Sequence, residues 1–196
     1  MNPLGKEQSS VFETLEKGNF IAPAAYDPET EEDISPVKSA FKLLLPGIAL
    51  GCLLPALLDG MELAGFLGAL LMFAGAVKLT GELDRFRVVL VCAAVQAAAL
   101  AFVLVAQTSV PQLLEGSLYA MAAAWGVWFG AVFTVRLAMV VGRHYPKCRV
   151  PAALAALFVT LAIALAALFP AVFLVRLLAV LPGVGALVWL AVSAYK

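Results

Sequence analysis

"LPALLDGMELAGF", residues 54–66, sets two carboxylates, Asp59 and Glu62, between long apolar runs. Acids buried between helices are candidates for proton chemistry, whereas acids in a wet turn only mark where a chain reverses. Asp59 followed by Gly60 is a strong turn signal. The flanking runs, near residues 43–58 and 61–77, would form one helix of about 35 residues if they were continuous. A bilayer needs only about 20, so the chain is expected to reverse at this stretch.

Four more apolar runs follow, near residues 87–106, 114–140, 151–169 and 171–195. The 196-residue chain is 63% hydrophobic and 13% charged, about half the charged share of an ordinary soluble domain. The expected fold is all-α: a polytopic membrane protein with six transmembrane helices in residues 36–196, preceded by a polar, acidic tail over 1–35. Net charge is zero, so nucleic acid is not an expected partner. The lipid bilayer is, and other membrane proteins or a homodimer remain open.

The tail has a capping box, Ser10 with Glu13, and a closing Gly18. Such a short helix is unstable alone. Asp27, Glu29, Glu31, Glu32 and Asp33 then crowd into a solvated spacer. The first forty residues are polar, with no apolar core of a secretory signal near Met1. Ser35 and Pro36 read as N-cap and first helical residue. Val37, Ala40, Phe41, Leu44 and Leu45 share one helical face, with Lys38 and Lys42 on another. This pattern predicts a short helix lying on the lipid surface and leading into the first span.

Cations set the expected orientation. Lys6, Lys17, Lys38 and Lys42 precede the first run. Lys78, Arg85 and Arg87 separate the second from the third, Arg136, Arg143, Lys147 and Arg149 surround the fourth-to-fifth connection, and Lys196 ends the chain. Only Arg176 lies toward the other side, so twelve of the 13 Lys and Arg share one face. By the positive-inside rule both termini are cytoplasmic. Asp59 and Glu62 then fall on the external side, where a wet turn does not push two carboxyl pKa values apart. The alternative is a re-entrant hairpin over 43–77, which would bury both acids; intramembrane acids are functional candidates by default.

Arg176 faces three acids on that side, Asp59, Glu62 and Glu115, and pairs with one of them or snorkels to headgroups. Ala122, Gly126, Gly130 and Thr134 recur every four residues in the fourth span, and Gly47 and Gly51 repeat the spacing in the first. Such small stripes let helices approach closely, within one bundle or between two copies. Gln96, Trp125, Trp128, Thr134 and Thr160 are the candidate substrate path, although packing and interhelical hydrogen bonding explain each of them as well. "LLLPGIALG" (43–51) resembles "VLPGVGALV" (180–188). A three-plus-three repeat would match the first span to the fourth, so both segments read as kinks.

Cys52, Cys92 and Cys148 match no zinc or redox spacing, and His144 is the only histidine. No catalytic, metal or cofactor motif is present. The sequence points first to a non-enzymatic accessory or scaffold component, its acidic tail open to cytoplasmic partners. The alternative is a small-molecule transporter or channel. Spans rich in Ala, Leu and Val, with short loops, fit a bacterial inner membrane.

Overall fold

The computed structural model describes residues 35–80, 87–109 and 117–195. All elements among them are helical: α1 Ser35–Ile48, α2 Leu54–Leu57, α3 Glu62–Leu79, α4 Arg87–Ser109, α5 Ser117–His144, α6 Arg149–Leu168 and α7 Phe173–Tyr195. A wide π turn, Ala49–Leu53, joins α1 to α2, and one 3-10 turn, Pro146–Cys148, leads into α6. Among the described residues, six helices are long and apolar enough to cross a membrane, consistent with a polytopic membrane protein.

The first of the six runs from Lys38 to Leu57, 20 residues, and the second from Glu62 to Leu79, 18 residues. At 1.5 Å per residue these are about 30 and 27 Å long, the thickness of a bilayer core. The first helix gains this length by taking in the stripe that the sequence suggested would lie on the lipid surface. Ala40, Phe41 and Leu44 are almost fully buried. A Cβ added at Gly75 would stand 2.6 Å from Leu44 Cγ, so this face packs against α3. Amphipathicity alone cannot separate a helix on lipid from a helix on a bundle, because both bury a single stripe.

Two prolines shape that helix. Pro46 lies inside α1 and Pro55 at the start of α2. Pro55 has no N–H to offer the carbonyl of Gly51, four residues back. The chain widens there instead, with the Leu54 N–H reaching back to Ala49 O. Gln96, fully buried on α4, points Nε2 at Gly51 O from 3.5 Å. Helix breakers are tolerated inside apolar bundles when a neighbour serves the freed carbonyl in this way.

Consecutive helices pack side by side from α3 to α7, and α1 closes the set against α3 and α7. The π turn touches α3, α5, α6 and α7, so the first helix passes through the middle of the assembly. Its lower half is held by Tyr195, whose hydroxyl donates to Lys38 O at 3.2 Å. The interior is built largely from small side chains, among them Ala69, Ala76, Ala93, Ala131, Ala162 and Ala186. Large apolar side chains stand outside, including Leu67, Leu157, Leu174, Leu178 and Trp189. This is the reverse of a soluble domain and the arrangement of a surface that lipid would cover.

The 58–61 reversal follows its sequence signal. Leu58 is extended and Gly60 takes a φ of 80°, a conformation natural only to glycine among common residues. The second tight reversal, 169–172, is stitched by Val172 N–H to Phe169 O at 3.2 Å, after Pro170 has ended any helical continuation. Together with Tyr119 at the start of α5, these turns gather at one end of the bundle. The exposed cations Lys42, Lys78, Arg143, Lys147 and Arg149 belong to the opposite ends of the same helices.

Candidate functional site

At the end carrying the 58–61 and 169–172 turns, a cavity of about 370 Å³ enters the bundle. Its rim includes Asp59, Glu62, Pro170 and Arg176; its depth is marked by Gly51, Cys52, Leu100 and Gly126. Leu100 is central in α4, so the cavity reaches about halfway along the helices. A volume in this range is that of a small-molecule site.

The opening follows from local sequence. Glycine or alanine occupies the cavity-facing positions of four helices: Gly51, Gly65, Gly126 and Ala166. Beside them the wide turn between Pro46 and Pro55 interrupts the regular winding of the first helix. Below the cavity the bundle closes. A Cβ at Gly130 would lie 2.7 Å from Gln96 Nε2 and 2.9 Å from Cys52 Sγ, so three helices meet there without room to spare.

Arg176 is the buried charged group of the cavity's rim. Its side chain keeps 7% exposure, and Nη1 donates to Asp59 Oδ1 at 2.9 Å, while the Asp59 side chain keeps 83%. Nε of Arg176 is buried and has no hydrogen-bond partner among the described residues. The guanidinium is thus held from one corner, by a carboxylate standing in open water. Tyr119 adds a hydroxyl to the wall and accepts from Gln107 Nε2 at 3.1 Å.

The structure brings together Arg176, Asp59 and Glu62 at one opening. Glu115, the third acid considered beside Arg176, lies outside the described residues. The substrate-path candidates are placed differently. Trp125 and Trp128 are about half exposed on the outer surface of α5, Trp125 edge-on to Phe129 at 6.4 Å. Gly126, Gly130 and Thr134 are buried on one side of α5, while Trp125 and Trp128 are exposed and do not border the cavity. Thr134 spends its hydroxyl on Ala131 O at 2.8 Å. Thr160 Oγ1 and Gln96 Oε1 are buried without partners among the described residues, and neither residue borders the cavity.

Both small stripes are covered within the chain. Gly47 and Gly51 meet Met72, Gly68 and Ala69 of α3, and Gly126 and Gly130 meet Leu100 and Gln96 of α4; Ala122 is half-buried beside them. The three cysteines are free and buried, and no cluster able to hold a metal occurs among the described residues.

Sequence reasoning reached Arg176 and its acids through charge position alone. It missed the cavity, whose walls are mostly small and apolar residues drawn from all six long helices. The available signal was the pair of prolines flanking Gly51 in a helix otherwise able to run straight. Compared with known proteins, the chain matches no family model, no curated protein and no solved structure.

Proposed function

We propose that the protein is a six-span integral membrane protein that takes up a small molecule from the non-cytoplasmic side, as a small transporter or carrier does. The carrying observation is the cavity of about 370 Å³ that enters at the Asp59 turn and reaches mid-bundle. The clustering of Lys and Arg at the opposite end supports cytoplasmic placement of that end, and the apolar exterior supports insertion in a bilayer such as a bacterial inner membrane. Pro46, the π turn and Pro55 in the first helix, with Pro182 in α7, supply the non-ideal backbone on which a moving helix can bend.

The accessory or scaffold reading rests on the acidic tail, outside the described residues, and gives the cavity no task. Water access separates the two. With Cys52, Cys92 and Cys148 changed to Ala, Ala123→Cys should react with a membrane-impermeant maleimide added from the non-cytoplasmic side. Ala152→Cys, in the closed half of the bundle, should stay unreactive. Equal silence at both positions would remove the transporter reading.

A further inference from the structure

We infer that the cavity takes a singly charged anion with an apolar body, whose acidic head pairs with Arg176 in place of Asp59. The inference rests on the cavity reading just proposed. A buried guanidinium is costly unless its N–H groups are used, and among the described residues only Nη1 of Arg176 has an acceptor, so the Nη2 beside it on the same edge is unpaired. Guanidinium N–H groups form a planar fork suited to an acid that accepts along one edge. Asp59 takes only Nη1. Because its side chain is 83% exposed, it contributes little by its pairing and returns to water readily. It therefore acts as an exchangeable counter-ion, holding the position of an incoming acid's oxygen.

The rest of the wall selects the remainder of the ligand. Pro55, Leu100, Val103, Ala123 and Ile163 are apolar and suit a hydrocarbon chain. Glu62, also at the rim, limits the charge the head can bring. Asp59 and Glu62 against Arg176 leave a net −1 there, so a dianion is repelled more strongly than a monoanion. A cation would satisfy the acids but leave the Nη2 half of that edge without an acceptor. A fatty-acid-type carboxylate and the head of a singly charged phospholipid both present a monoanionic oxygen edge above a hydrocarbon body, one from solution and one from the bilayer.

The test uses the full chain with native cysteines changed to Ala and Ala123→Cys as reporter, in nanodiscs of phosphatidylcholine. Octanoate should slow maleimide labelling, while octanol and octylammonium should not. Arg176→Gln, read against its own labelling rate without octanoate, should require about tenfold or more octanoate for the same fractional protection, the worth of a charged hydrogen bond. Asp59→Asn, on an exposed residue, should lower the octanoate requirement, because the competing carboxylate is gone. Slowing by phosphatidylglycerol in the disc, lost in Arg176→Gln, assigns the head to lipid; slowing by octanoate alone assigns it to a free acid. Equal protection by octanol, better protection by octylammonium, or unchanged octanoate sensitivity in Asp59→Asn each overturns the inference. A reporter that never labels defeats the cavity reading itself; one that labels but ignores both octanoate and phosphatidylglycerol defeats only the ligand class.

Discussion

A single hydrogen atom in place of a side chain decides how closely the first two long helices approach. A Cβ at Gly68 would run into the backbone of Gly51, and one at Gly47 would stand 2.9 Å from Met72 N. Backbone atoms cannot swing aside as a long side chain does, so the helices themselves must part. Gly68→Ala should therefore cost about 1–3 kcal/mol, the usual penalty for overpacking. Gly185, with nothing within 4 Å of an added Cβ, supplies the control. Thermal unfolding of the two variants in detergent should show a lowered midpoint for Gly68→Ala and none for Gly185→Ala; equal midpoints would mean the helices do not meet as closely as described. The spacing of Gly47 with Gly51 and of Gly126 with Gly130 was legible in the sequence as close packing. Their partners were not, because the residues they meet, Gly68, Ala69 and Met72 on α3 and Gln96 and Leu100 on α4, mix small with large side chains and form no matching small stripe. Trp125 and Trp128 show the same limit: in a span apolar on every side, hydropathy does not say which side faces in.

At the level of one element, Pro55, Gly51 and Gln96 form a unit whose parts come from different helices. Pro55 withholds the N–H that Gly51 O would accept in a regular helix, and Gln96 Nε2 approaches that oxygen at 3.5 Å. If Gln96 serves the carbonyl that Pro55 strands, the two residues are energetically coupled. Gln96→Leu should destabilise the protein by about 1 kcal/mol, in the range for hydrogen bonds between helices in membranes. In a Pro55→Ala background, where residue 55 regains an N–H, the same substitution should cost less. A double-mutant cycle on unfolding midpoints measures this directly; strictly additive effects would show that Gln96 and the break are unrelated. The break was readable from the two prolines, and Gln96 from its polarity at the centre of an apolar run. Their meeting was not readable, since it depends on which helix lies beside which. The same missing neighbour explains why Ala40, Phe41 and Leu44 read as a lipid-surface stripe before α3 was seen to cover them.

For the whole molecule, the distribution of charge and the distribution of bulk make separate arguments for one arrangement. Small residues inside and large apolar residues outside suit a bundle surrounded by lipid, and the cations gathered away from the Asp59 turn suit a fixed direction through it. Because the first helix runs from Lys38 to Leu57 and the second from Glu62 to Leu79, both have the length to cross, and a shallow re-entrant pair has lost its main support in short apolar runs. Were both to cross, the turn between them would lie in water on the side opposite the basic loops. This leads to a two-sided expectation for sealed cells carrying the cysteine-free protein. Gly60→Cys should react with an impermeant maleimide in intact cells, since residue 60 is exposed and any strain from its positive φ is confined to the turn. Lys147→Cys, on the exposed 3-10 turn before α6, should react only after the cells are opened. If the two positions exchange behaviour, the threading is inverted and Arg176 faces the cytoplasm. If Gly60→Cys stays unreactive even after the cells are opened, the turn is shielded from both sides, and Asp59 and Glu62 return as acids held at depth.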